Sequence, residues 1–162
     1  MNKFNTADLC DDHSLIIAKP IFKSYGSRTH CFGKIKTVEA IEDNSYVKRL
    51  LQEDGSGCVM VVDGRGSEKC ALVGDNLAAL GAKNNWSGII VNGCIRDSME
   101  INNICISIKA INLVPNKSEK KDILKIEVKK TSGNKCPVHL QYARTPCCKA
   151  PEYCLGSTLA AK

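Results

Sequence analysis

A chain of 162 residues, 43% apolar and 25% charged, can bury one sizeable core but is too short for two ordinary ones. It has no apolar run long enough to cross a bilayer, which argues against a membrane protein, and its first residues, MNKFNTADLCDDHS, lack the basic start and apolar stretch of a secretory leader, so a cytoplasmic location is expected. The net charge of +6 is uneven: residues 1–115 carry 13 basic and 13 acidic side chains, and residues 116–162 carry 10 and 4. A basic tail could suit nucleic acid, but this one has no interleaved aromatic platform and no recognition motif, so a solvated face is the better reading and no direct nucleic-acid contact is expected.

In chain order, Thr6 followed by ADLCDD predicts a capped helix start, and SLIIAKPIF (14–22) a buried strand interrupted by Pro20. HCFGKIKTVEAI has strand composition, and in SYVKRLLQED the apolar residues Val47, Leu50 and Leu51 fall at helical spacing before Gly55. The clearest unit follows: strand CVMVV (58–62), glycine-rich turn DGRGSE, helix DNLAALGAKNN (75–85) and strand GIIV (88–91). Strand, helix, strand with short apolar strands signals a parallel crossover, so the core is expected to be α/β. ICISIKAINLV is a further strand, closed by Pro115. Beyond it the chain is polar and lysine-rich, with one candidate strand, ILKIEV, and a closing segment without period.

In open parallel sheets, ligands gather beyond the carboxyl ends of the strands. Two loops qualify. Gly74, Asp75, Asn76 and Leu77 start the predicted helix, where free N–H groups and the positive end of the helix dipole favour an anion. Arg96 and Asp97 follow GIIVNGC, and the two loops should open on the same side. Each element also has a plainer reading: Asp75 as an ordinary first-turn residue, Arg96–Asp97 as a surface ion pair, Glu100 as a solvated side chain.

The Gly-x-Gly in DGRGSE lacks a third glycine or a phosphate-loop lysine and is discounted as a nucleotide site. The ten cysteines are expected as reduced thiols, in the absence of an export signal. Cys136, Cys147, Cys148 and Cys154 cluster near His139, but without a Cys-x-x-Cys pair they make a poor zinc site, and no cysteine nucleophile has a local signature with His13, His30 or His139.

The run from Asp43 to Asp97, together with TADLCDDH and FGKIKTVEAIEDN, closely resembles the family shared by the regulator of ribonuclease E activity A and the class II 4-hydroxy-4-methyl-2-oxoglutarate aldolases. The resemblance covers roughly residues 4 to 118 and divides the chain into a family-like core, 1–118, and a divergent basic, cysteine-rich segment of the same domain, 119–162. The family's closing Phe-Gly-Gly, Pro-Gly-Asp and Ala-Asp-x-Asp-Gly elements are absent after Lys117.

The resemblance implies a layered β/β/α domain of the swivelling type, assembled as a homotrimer with sites between subunits. One spacing marks the catalytic branch: an aspartate, twenty residues, Arg-Asp, then an acidic residue three positions on, matched by Asp75, Arg96, Asp97 and Glu100. The implied activity is cleavage of 4-hydroxy-4-methyl-2-oxoglutarate to pyruvate, with oxaloacetate decarboxylation beside it, through a pyruvate enolate. The implied cofactor is a divalent cation, Mg²⁺ or Mn²⁺. In that scheme Asp97 is the metal ligand and Arg96 holds a substrate oxygen. The backbone of Gly74 to Leu77 cradles the carboxylate, Asp75 orients a water for proton transfer, and Glu100 stands in an outer shell. The alternatives within the same family are a non-catalytic regulator whose partner is a ribonuclease and a folded but inactive relative with a divergent terminus.

Overall fold

The computed structural model describes residues 6–15 and 17–120. Four short helices, α1 (Thr6–Asp12), α2 (Ser45–Leu51), α3 (Asp75–Lys83) and α4 (Ser98–Ile101), accompany six strands, β1 (Lys23–Tyr25), β2 (Lys34–Glu39), β3 (Cys58–Asp63), β4 (Ala71–Val73), β5 (Gly88–Ile95) and β6 (Ser107–Leu113). The sheet runs β1-β6-β5-β3-β2, with β4 added on β5. β2, β3, β5 and β6 are mutually parallel, and β1 lies antiparallel to β6. The expected α/β class and the parallel unit β3–α3–β5 are therefore present.

Alternation along the central strands sorts their side chains onto two faces. Met60 and Val62 of β3, Ile89 and Val91 of β5, and Ile106, Ile108 and Ala110 on and beside β6 pack with Val47 and Leu51 of α2 and Ala78 of α3. The opposite face carries a smaller apolar cluster of Cys31, Val59, Val61 and Ile90. It also buries Lys109, whose Nζ donates to Ser24 Oγ at 2.8 Å and to the Thr29 carbonyl at 3.2 Å, as a buried ammonium requires. α2 begins where Asp43 Oδ1 accepts the Ser45 N–H at 2.8 Å, and buries Val47 and Leu51 as their spacing predicts. In α3, Gly81 permits close docking on the sheet: a Cβ there would lie 3.0 Å from Ile106 Cδ1 and 3.2 Å from Leu51 Cδ2.

The strand expected over 14–22 does not form in its described residues. Only Lys23–Tyr25 pairs with β6, and Ile17 and Ile21 are 41% and 45% exposed. Pro20 cannot donate to a ladder, and apolar content alone gave that segment no partner. ILKIEV, His139 and the late cysteines lie outside the described residues, as does any zinc site they might form. No helix among the described residues is long and apolar enough to cross a membrane.

Candidate active site

β4 is what brings the two candidate loops together. Ala71 pairs with Cys94 and Val73 with Ile95, in parallel, so both strands end on the same side. The ladder closes with the Arg96 N–H donating to the Val73 carbonyl at 3.0 Å, and the chain leaves β4 at Gly74 and β5 at Arg96 as direct neighbours. β5 reaches this position because it continues past the predicted GIIV to Ile95, through a register break between Val91 and Cys94. Its first half pairs with β3 and its second with β4. The sequence reading missed β4, whose only signal is the short apolar run Cys70-Ala71-Leu72-Val73 between polar turns.

Gly74 caps α3 with extended backbone, φ −122°, so its missing side chain matters for space rather than for torsional freedom. A Cβ there would lie 2.8 Å from Asp97 Oδ2 and 3.2 Å from Arg96 Nε. The first helical bond of α3 runs from the Ala78 N–H to the Gly74 carbonyl, 3.0 Å, leaving the N–H groups of Asp75, Asn76 and Leu77 without helical acceptors at the positive end of the helix. Asp75 is half-buried and receives a hydrogen bond from Asn76 Nδ2 at 2.9 Å. Leu77 turns inward against the main core.

Asp97 adopts left-handed backbone, φ 55° and ψ 43°, immediately before α4. Such a conformation costs a non-glycine residue energy and is found where the surroundings over-determine it. Its Oδ2 lies 3.1 Å from Arg96 Nε, with the two side chains 33% and 36% exposed. That contact is one of charge without hydrogen-bond alignment, and Oδ2 is a buried oxygen that accepts no hydrogen bond. With Nε turned to Asp97, the terminal nitrogens of the guanidinium remain as a donor fork. Glu100 lies on α4 and is exposed; among the described residues it forms no hydrogen bond or ion pair with Arg96 or Asp97. The structure thus brings Gly74 against Arg96 and Asp97, with Asp75 and Asn76 the next residues along α3, and joins Glu100 to neither Arg96 nor Asp97 among the described residues.

The backbone of the glycine turn is tied into the fold. The N–H groups of Gly64 and Gly66 both donate to the Asn92 carbonyl at 3.0 Å, and Asp63 Oδ1 accepts from the Arg65 N–H and from Asn92 Nδ2. Among the described residues no three histidine, cysteine, aspartate or glutamate side chains converge as a complete metal cage. Asp97, with an Oδ2 that accepts no hydrogen bond, is the carboxylate the sequence reading gave to a cation. A single carboxylate suffices for Mg²⁺, which takes one or two protein carboxylates and keeps waters, so the donor set fits that ion and does not fit structural zinc.

Residues 6–137 match the family described as RraA-like, Aldolase/RraA. The chain belongs to the RraA-like family. A protein of Alkalilimnicola ehrlichii, provisionally named 4-hydroxy-4-methyl-2-oxoglutarate aldolase, is 52% identical over 120 residues, which cover 73% of this chain and 74% of that protein. Another from Aromatoleum aromaticum, with the same provisional name, is 46% identical over 145 residues, covering 87% of this chain and 91% of its own. The solved structure of the RNA-processing inhibitor RraA from Thermus thermophilis is similar at a TM-score of 0.71 and 38% identity, with 74% of each chain covered. The fold is thus the mixed α/β sheet of RraA-like proteins, and the RraA-like match extends to residue 137, beyond the resemblance over residues 4 to 118.

Proposed function

We propose that this chain is a divalent-metal-dependent lyase that cleaves 4-hydroxy-4-methyl-2-oxoglutarate to pyruvate, with decarboxylation of oxaloacetate as a side activity. The observation that carries the reading is the meeting of Gly74, at the open start of α3, with Arg96 and Asp97, whose buried Oδ2 accepts no hydrogen bond. The relatives provisionally named as aldolases support it.

The N–H groups at the start of α3 bind the substrate carboxylate, where the helix dipole favours negative charge. The Arg96 fork holds the 2-oxo oxygen and meets the charge that develops there as the carbon–carbon bond breaks. Asp75, directly or through one water, is the base that takes the C4 hydroxyl proton. Asp97 would hold a Mg²⁺ or Mn²⁺ ion, which when bound supplies a Lewis acid to the 2-oxo acid. Glu100 would act only at a distance, from the exposed face of α4.

The same proposal includes a cytoplasmic homotrimer with sites between subunits. Large apolar side chains left exposed, Ile21, Ile41, Met99 and Leu113, are consistent with surfaces that a second copy covers. A second reading, a non-catalytic regulator that binds an RNA-degrading enzyme, draws on the similarity to the RNA-processing inhibitor.

Pyruvate release from each substrate, with and without Mg²⁺, decides between the two. Metal-dependent turnover that disappears in Asp97→Ala is the expected result. Equal background rates in both proteins would sink the lyase and leave the regulator, to be tested by binding to the ribonuclease.

A further inference from the structure

The two reactions assigned to this site differ in one proton. In cleavage of a 4-hydroxy-2-oxo acid, a base removes the C4 hydroxyl proton, the C4–O bond becomes a carbonyl and the C3–C4 electron pair passes into the 2-oxo unit, where C3 is then protonated. In decarboxylation of oxaloacetate, the C3–C4 pair moves the same way as CO₂ departs, and no hydroxyl proton has to be taken. Both reactions need an acid for C3, but only cleavage needs a base. Whatever fixes the base should therefore tune one reaction and spare the other.

Asn76 is placed to do that. It is the second residue of α3, exposed, and its Nδ2 donates to Asp75 Oδ1 at 2.9 Å. The bond ties one oxygen of the Asp75 carboxylate and damps rotation about its terminal torsion, which is otherwise soft. Asn76 has no core-packing role to account for it: Leu77 faces the core and Asn76 does not. We propose that Asn76 is a positioning residue for Asp75, and that through it this site favours carbon–carbon cleavage of 4-hydroxy-2-oxo acids over decarboxylation of 2-oxo diacids. The inference rests on the lyase reading above and adds to it the residue that sets the ratio of the two activities.

The test measures kcat and KM for both reactions in the full chain with Mg²⁺, for the natural protein, Asn76→Leu, Asn76→Gln, Asp75→Ala and Asp75→Ala/Asn76→Leu. Loss of a positioning contact is worth about tenfold or more in rate. Asn76→Leu is therefore expected to lower kcat for cleavage about tenfold, and the ratio of cleavage to decarboxylation by at least about fivefold. Asn76→Gln, which keeps an amide donor, recovers part of the loss. In the Asp75→Ala background, adding Asn76→Leu costs nothing more. A purely structural effect at the helix start would instead depress both reactions equally and persist without Asp75. Equal losses, no loss, or an additive double variant each overturn the inference while the lyase stands. Absence of metal-dependent turnover in the natural protein overturns the lyase reading and this inference with it.

Discussion

Gly74→Ala tests the meeting of the two loops directly. The added methyl would sit 2.8 Å from Asp97 Oδ2, against 3.4 Å for ordinary contact, so the carboxylate must retreat by about 0.6 Å. Arg96 Nε, 3.2 Å away, must yield as well. Backbone strain is not at issue, because φ is −122° and alanine adopts that freely. The cost is overpacking, softened because both neighbours are partly exposed side chains, and we place it near the low end of the usual range, about 1 kcal/mol. For a chain of this size that is a fall of about 2–4 °C in Tm. The effect on turnover should be larger, since a misplacement of about 1 Å in a catalytic constellation can cost about 10²-fold; a loss of at least about tenfold in kcat is expected. Steady-state pyruvate release and thermal melting read the two quantities. Adding Asp97→Ala removes the atom that the methyl strikes, so most of the melting penalty of Gly74→Ala should vanish in that background. Unchanged melting and turnover in Gly74→Ala, or a penalty that survives without Asp97, would refute the reasoning.

Asp97→Gly should stabilise the fold while abolishing metal-dependent turnover. It relieves a left-handed conformation at a position whose side chain makes no capping hydrogen bond, and the part-exposed ion pair with Arg96 that is lost is worth little, so a gain of about 0.5–1 kcal/mol is expected in urea unfolding. The protein should also lose stability in alkali. Burial raises the Cys94 thiol above its ordinary 9.0, with the Glu68 charge acting the same way. Burial likewise raises Tyr25 above 10.0. Below pH 9 folded and unfolded chains both hold the Cys94 proton; above it the unfolded chain releases the proton first, so stability falls as pH rises from there through the folded value. Urea midpoints at pH 8 and pH 10 check this: Asn76→Leu should follow the natural slope, and Cys94→Ala should flatten it.

The parallel heart of the fold was legible because its strands are buried on both faces and read as unbroken apolar runs, as in Cys58–Asp63. α2 and α3 announced themselves by spacing and by the residues at their starts. β4 was not legible, because three apolar residues between polar turns carry no period, and their strand character comes from the ladder with β5. The segment 14–22 misled for the opposite reason, since apolar composition there met no sheet edge. The two loops could be placed beyond the ends of the strands and the resemblance named Asp75, Arg96 and Asp97 in them, but no pattern could reveal that Asp97 is left-handed, that Asn76 donates to Asp75, or that a Cβ at Gly74 would press on Asp97 and Arg96. Those depend on distances between residues more than twenty positions apart, or on a side-chain rotamer.

The way β4 is held also bears on the basic segment that follows the core. After β6, the Val114 N–H donates to the Ile95 carbonyl at 3.0 Å, one residue before Arg96. Two residues later the Asn116 carbonyl accepts from the Ala71 N–H at 2.8 Å, and Lys117 bridges Ala71 in parallel. Asn116 Nδ2 reaches the Lys69 carbonyl at 3.4 Å, and Ser118 is buried. The chain thus crosses the carboxyl end of β5 and then lies along the open edge of β4, tying together the two strands that deliver Gly74 and Arg96. A three-residue strand with one neighbour would present unpaired amides, and this second neighbour accepts the one at Ala71. The departure in composition begins after Lys117, once these bonds have been made. Among the described residues, the bonds that tie β4 to the segment after β6 are thus made by Asn116 and Lys117, so Asn116→Pro/Lys117→Pro is expected to loosen the ends of β4 and β5, at Gly74 and Arg96, which amide exchange at Ala71 and Arg96 would read.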